Sequence, residues 1–414
     1  MSKVNGQTFR IADTCVSIED LYAAARRLQP VIKKTELIES PVFSNEYGNS
    51  VFIKAENLQV TGAFKIRGAF HKLSRLTAEE KQRGVIASSA GNHAQGIGYA
   101  AQLLGIQATV VMPATTPIIK VEATRNYGTN VVLFGDSYDE AYKKARELEA
   151  EYGYVFVHPF DDLDVILGQG TVALEILNEL ADVDEIMVPI GGGGLASGIA
   201  FAAKMLKPGI RVIGVEPEGA CCMKESLLQS KVTELEKVDT IADGAAVKRP
   251  GALTFDFIRE FIDEIIVVSD FDIAEAILLL IEKHKLITEG AGALSLAGLK
   301  KVSSRNKKIV CLVSGGNIDI LTISAIINKA LVFRGRLFCF TINLPDKPGE
   351  LLHVAEIIAA LNANVIKLDH NQSKVMDSFK QVQLEVTVET NGHSHVKEIE
   401  AAFQRKGIEI QKIY

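Results

Sequence analysis

Cysteine is scarce in this sequence and never arranged in pairs. The five cysteines, Cys15, Cys221, Cys222, Cys311 and Cys339, form no Cys-x-x-Cys motif, and their number is odd. That usage fits a reduced, cytoplasmic protein better than a disulfide scaffold or a zinc site. Positive charge is nowhere concentrated. There is no dense basic stripe and the formal net charge is −6, so neither nucleic acid nor an anionic membrane is an expected partner. Long apolar runs are missing as well. The longest, 274–281 (interrupted by Glu275) and 309–313, are too short to span a bilayer. The opening stretch MSKVNGQTFRIADTC has no apolar signal core. Internal repeats and low-complexity tracts are also lacking.

What is present is ordinary globular composition: 414 residues at 47% hydrophobic and 23% charged suffice for two or three cores. Short apolar runs alternate with helical patterns through residue 330. Val- and Ile-rich runs at 51–55, 84–88, 108–112, 130–134, 154–158, 185–189, 211–215, 264–268 and 308–313 read as strands. Helix-length segments separate most of them, which predicts βαβ units and mostly parallel sheets. Ser17-Ile18-Glu19-Asp20 reads as a capping box that opens a helix to about Leu28.

The pattern changes after Ala330. FCFTINLPDKPGE is a strand ending in a turn, GELLHVAEIIAAL an amphipathic helix, and NVIKLDHN a second strand. FKQVQLEVTVET alternates as a half-exposed antiparallel strand does. HVKEIEAAFQRKG and IEIQKIY complete a βαββαβ order, the ferredoxin-like arrangement. The expected domains are 1–332 and 333–414.

Four motifs carry chemistry. In EIMVPIGGGGLASG, a buried strand runs into Gly191, Gly192, Gly193 and Gly194 and then a helix. Converging N–H groups and a helix N-terminus make a phosphate cradle. The same segment contains Gly191-x-Gly193-x-x-Ala196, with Glu216 ending the next strand, and so also fits a dinucleotide site. In ASSAGNHAQG, a strand delivers Ser88, Ser89, Ala90, Gly91 and Asn92 to a helix start, a loop suited to a small carboxylate. CLVSGGNID presents Ser314 at another strand end. Finally, TGAFKIRGAF sets Lys65 between Phe64 and Ile66. A lysine in apolar surroundings either snorkels to water or is used chemically. Beside a phosphate cradle and a carboxylate loop, its amine suits a Schiff base with a phosphate-bearing aldehyde, and pyridoxal 5'-phosphate is such a cofactor.

Five motifs in order, ENLQVTGAFKIRGA, SSAGNHAQG, PIGGGGLASG, GVEP and LVSGGNID, resemble the threonine/serine dehydratases of the fold-type II pyridoxal-phosphate enzymes. The C-terminal segment around LPDKPGELLHVAEII resembles an ACT domain, and the combination resembles the threonine ammonia-lyases. The resemblance implies a tryptophan-synthase-β-like catalytic α/β domain, with open, mostly parallel sheets, followed by a regulatory ACT domain. It implies that Lys65 holds the cofactor with Phe64 beside it, and that Asn92 bonds the ring hydroxyl. Gly191, Gly192, Gly193, Gly194 and Leu195 would cradle the phosphate, and Ser314 would face the ring nitrogen. Ser88, Ser89, Ala90 and Gly91 would hold the substrate carboxylate. Glu216 stands where relatives carry a cation-binding acid, whereas Cys222 replaces a second carboxylate found in some of them. Serine racemases carry a serine where this chain has Ala90. A methyl group cannot relay a proton, so elimination with little racemisation is expected.

The implied reaction is deamination: water is eliminated from L-threonine and the released enamine takes up water again, giving 2-oxobutanoate and ammonia, and L-serine gives pyruvate and ammonia by the same steps. Lys65 removes the Cα proton. The resemblance implies that the cofactor phosphate protonates the departing hydroxyl. Asp346, Lys347, Pro348, Gly349 and Glu350 form the turn that helps bind an effector in ACT domains, with isoleucine or a nucleotide as the expected ligand. A homodimer or homotetramer is expected. Two other readings compete: an NAD-dependent oxidoreductase, and a non-catalytic amino-acid sensor.

Overall fold

The computed structural model describes residues 3–4, 8–11, 14–371 and 380–414. The contacts divide the chain into two compact units, residues 1–319 and 320–414.

The first unit contains two parallel sheets. The larger has six strands in the order Glu264–Val268, Arg211–Pro217, Glu185–Pro189, Lys308–Val313, Ser50–Ala55 and Leu37–Glu39. All pair in parallel except Leu37–Glu39, which runs antiparallel along one edge. The smaller is wholly parallel: Asn130–Leu133, Ala108–Met112, Val85–Ser88 and Val155–Phe156. The central strands Glu185–Pro189 and Ala108–Met112 are buried throughout, as expected for parallel sheets covered on both faces. An antiparallel three-stranded sheet of Lys3–Val4, Thr8–Ile11 and Thr14–Ser17 is also present. The sequence pattern did not indicate it, because strands of two to four residues show no usable period.

Ser17 caps the helix Ile18–Leu28 in a capping box with Asp20, as the sequence indicates. The expected strand at 154–158 is only Val155–Phe156. Beyond it the chain turns, because Pro159 has no N–H and His158 Nδ1 accepts from the amides of Phe160 and Asp161.

The second unit is a four-stranded antiparallel sheet in the order Asn364–Asn371, Gln381–Glu389, Leu337–Pro345 and Ile410–Lys412. Helices Glu350–Ala360 and His393–Arg405 complete the βαββαβ order. Its core joins Phe338, Phe340, Val354, Ile358, Leu384, Ile399 and Phe403. The expected start of the third strand, Phe379, lies outside the described residues. The helix Ile320–Phe333, placed by the sequence in the domain 1–332, groups with the second unit. The reason is local: it packs on strand Leu337–Pro345 through the Gly335 turn.

Candidate active site

Lys65 is the first residue of the helix Lys65–Ser74. The loop before it is pinned to the end of strand Lys308–Val313. Phe64 N donates to Ser314 O at 3.1 Å, Gly316 N donates to Gly62 O at 2.9 Å, and Ala63 bridges Gly315. Gly62 adopts a positive φ of 72°, which a side chain would strain.

Two residues further on, Arg67 anchors the helix. It lies fully buried and forms a bidentate pair with Glu56, while its third nitrogen donates to Glu175 Oε1 at 2.6 Å. Lys54 bonds the other oxygen of Glu175 at 2.7 Å. Two cations and two anions thus balance inside the unit, and Lys65 takes no part in that cluster.

The Lys65 amine donates to Pro159 O at 2.7 Å and lies 5.2 Å from the Phe64 ring centre. Burial lowers its pKa to about 8, against the opposing pull of the Glu289 carboxylate. An amine with that basicity is partly neutral near pH 7 and can act as nucleophile or base.

The segment that accepts from Lys65 also builds the glycine loop. The Phe160 ring lies against Gly192, where an added Cβ would sit 2.3 Å from it. Asp161 accepts the amides of Ala252, Leu253 and Thr254 and so caps the helix Ala252–Phe261. Thr254 Oγ1 in turn donates to Gly192 O at 2.7 Å. Gly193 has a φ of 99°, and an added Cβ there would sit 2.8 Å from Thr254. Only glycine fits at these positions. The helix Gly194–Leu206 therefore begins with no side chain capping its first amides. Leu195, its second residue, is buried.

Helix Leu163–Glu179 joins the lysine and the glycine loop. Its Gly168 lies against the Arg67 carbonyl and its Gly170 against Gly198, so at these two points the helices meet backbone to backbone. Gln169 lies between those contacts, near Gly68 and Gly194. Its amide is fully buried and has no hydrogen-bond partner on either atom.

The serine-rich loop follows strand Val85–Ser88. Ser88 Oγ is buried without a partner, and Gly91 N donates to Ser89 Oγ at 3.2 Å. Ala90 is half-buried, and an added Cβ on Gly91 would meet nothing within 4 Å. Asn92 opens the helix Asn92–Leu104. Its Nδ2 donates to Glu289 at 2.6 Å, and its Oδ1 accepts from Asn317 at 2.8 Å. Ser314 is buried, with its hydroxyl 3.4 Å from Ala291 O. The structure thus brings together Lys65, Phe64, Asn92, the Ser314 loop and, through Pro159 and Phe160, the four glycines.

Glu216 faces elsewhere. Its two oxygens accept the amides of Met223 and Lys224 at 2.9 and 2.8 Å. Burial raises its pKa to about 8 despite those two bonds. Among the described residues, no group of three His, Cys, Asp or Glu could hold a metal. In the second unit, Asp346, Lys347, Pro348 and Gly349 are exposed, and Glu350 starts a helix after Gly349 at a φ of 100°.

Pyridoxal 5'-phosphate fits these residues. An amine of lowered basicity faces a carbonyl, a side-chain-free cradle opens at a helix N-terminus, and the buried Gln169 amide and Ser88 hydroxyl lack partners.

Sequence reasoning missed Glu289, Pro159, Asp161 and Gln169. Asp161 had a signal, since the Asp-Asp pair after His158-Pro159-Phe160 has the character of helix caps. Glu289 had little, being one acid before a run of small residues.

Comparison with known proteins agrees with this geometry. Residues 28–315 match the family described as pyridoxal-phosphate dependent enzyme. An L-threonine ammonia-lyase of Thermotoga maritima is 45% identical over 399 residues, 96% of this chain and 99% of that protein. A catabolic L-threonine dehydratase of Escherichia coli is 46% identical over 318 residues, 76% of this chain and 97% of that protein. The processed form of threonine deaminase isoform 2 from Solanum lycopersicum superposes with a TM-score of 0.72 at 37% identity, covering 80% of this chain and 99% of that one.

Proposed function

The chain belongs to the pyridoxal-phosphate dependent enzyme family, and we propose that it is a threonine ammonia-lyase. It converts L-threonine to 2-oxobutanoate and ammonia, and L-serine to pyruvate by the same route. The observation that carries the reading is the Lys65 amine, held at 2.7 Å from Pro159 O beside a glycine loop too tight for any side chain. The family match removes the dinucleotide reading, and Glu216, its supposed ribose ligand, is engaged by the Met223 and Lys224 amides.

Pyridoxal 5'-phosphate, when bound, supplies an electron sink for the charge left at the substrate Cα. The chain's own residues do the rest. Lys65 would hold the cofactor through its amine and would serve as the base that takes the substrate Cα proton. Its lowered basicity leaves a useful neutral fraction for that step. Gly191, Gly192, Gly193, Gly194 and the Leu195 amide hold the phosphate, helped by the positive end of helix Gly194–Leu206. Asn92 would donate to the ring hydroxyl. Ser314 would offer the ring nitrogen a neutral hydroxyl. Ser88, Ser89, Ala90 and Gly91 receive the substrate carboxylate at the start of helix Asn92–Leu104. The Ala90 methyl cannot relay a proton, which favours elimination over racemisation.

The second unit is the regulatory part of this reading, with Asp346 to Glu350 contacting isoleucine or a nucleotide. The enzyme works in the cytoplasm as a homodimer or homotetramer. Among the described residues, no helix is long and apolar enough to cross a membrane. The test is 2-oxo acid release from L-threonine, with and without L-isoleucine. Release that isoleucine suppresses supports a biosynthetic enzyme with its sensor attached. Release untouched by isoleucine keeps the catalytic reading and removes isoleucine as effector. No release with cofactor bound refutes the substrate.

A further inference from the structure

The mechanism above leaves one acid of the site without a task. Glu289 stands at the N-cap position of helix Gly290–Gly298, yet its side chain caps nothing there. Its carboxylate instead accepts the Asn92 amide at 2.6 Å. Gly315 makes room for it, since an added Cβ there would lie 2.5 Å from Glu289 Oε1.

A chain of contacts decides which way the Asn92 amide faces. Asn317 approaches the main-chain carbonyl of Thr61 at 2.8 Å, and a carbonyl can only accept, so that atom is the Asn317 nitrogen. The same nitrogen meets Asn92 at 2.8 Å and requires an acceptor, which is Asn92 Oδ1. Asn92 Nδ2 must then face Glu289. An amide nitrogen carries two N–H bonds. Asn317 spends both of its own. Asn92 gives one to Glu289 and keeps one.

We propose that Glu289 is a positioning residue of the reaction: it locks the Asn92 amide so that one N–H remains for the ring hydroxyl of the cofactor, and it sets the charge balance around the Lys65 amine. The inference rests on the reading of the site as a pyridoxal-phosphate site. The groups facing Glu289 support it. Asn92 bonds it from its own helix, Lys65 faces it from helix Lys65–Ser74, Lys120 from helix Ile118–Arg125, and Asp243 from the turn Asp243–Ala245. Burial raises Glu289 to about 7, and Asn92, Lys120 and Lys65 pull against that while Asp243 adds to it. In return, the ionised Glu289 keeps the Lys65 amine more basic than burial alone would.

The test uses the full chain freed of cofactor. The absorbance change on adding pyridoxal 5'-phosphate gives both its dissociation constant and the pH midpoint of capture by Lys65. Glu289→Gln can still accept from Asn92 but carries no charge. It should keep the affinity within a few-fold and move the capture midpoint down by about half a pH unit. Glu289→Ala loses both functions and should also weaken the affinity about tenfold or more. If Glu289→Ala does not fold, Glu289→Gln decides alone through its midpoint, which a merely structural side chain would not move. Unchanged midpoints in the folded variants overturn this inference and leave the assignment of the site standing. Failure of the unmodified protein to capture the cofactor at Lys65 overturns that assignment, and this inference with it.

Discussion

Arg67 grips both carboxylate oxygens of Glu56 at 2.8 Å each, and neither side chain reaches solvent. Arg67 lies two residues past Lys65, and the pair ties that helix to strand Ser50–Ala55 through the turn Glu56–Leu58. Burial alone would raise the Glu56 pKa, but the Arg67 charge and hydrogen bonds, Thr35 and Lys54 outweigh it and hold the carboxyl below its ordinary range. The ionised form is therefore the one that stabilises the fold.

Removing one partner should be worse than removing both. Glu56→Gln leaves Arg67 short of a counter-charge and should cost about 3–5 kcal/mol in denaturant unfolding. Adding Arg67→Met to that variant should recover part of the loss. A double variant no more stable than Glu56→Gln would show that the cluster does not act as a pair. With a depressed folded pKa, Glu56 stabilises above its unfolded value of about 4.5 and loses that contribution as pH falls through the lower folded value. The acid limb of the stability curve should accordingly flatten in the double variant.

Lys65→Ala should remove turnover and the cofactor's lysine-bound absorbance together. Substantial 2-oxo acid release by this variant would refute Lys65 as the base.

The glycine loop predicts a repair. Gly192→Ala should collide with Phe160, whose ring would lie 2.3 Å from the new Cβ, and should weaken cofactor binding about tenfold or more. Phe160→Ala in the same chain opens the space and should restore part of the affinity. No restoration would place the damage in the backbone rather than in that contact.

Asp161 acts on the loop at one remove. It accepts three amides at the start of helix Ala252–Phe261, and Thr254 of that helix bonds Gly192 O. Asp161→Ala should cost about 1–2 kcal/mol of stability and also lower cofactor affinity. A lowered melting temperature with unchanged affinity would mean that the helix end does not steady the loop.

Ser314→Asp should alter the absorbance of the bound cofactor, because a carboxylate would favour a protonated ring nitrogen where a hydroxyl does not. An unaltered spectrum would remove Ser314 from contact with the ring.

Much of this protein could be read from its residues alone. The strands Glu185–Pro189, Glu264–Val268 and Lys308–Val313 fall where the runs of Val and Ile put them, because a buried or alternating strand records its burial in its side chains. The four glycines and Lys65 were legible for a similar reason: each is a costly choice at its position unless something uses it. Tertiary structure decided what sequence separation hides. Glu289 lies 197 residues from Asn92 and Pro159 lies 94 from Lys65, and neither contact leaves a mark in local periodicity. Nothing in the local sequence marks Arg67, and only the fold sets Glu56 and Glu175 around it. A pattern of residues reports which side chains must be buried. Which polar atoms then face one another depends on how the buried faces close, and that is a property of the folded chain.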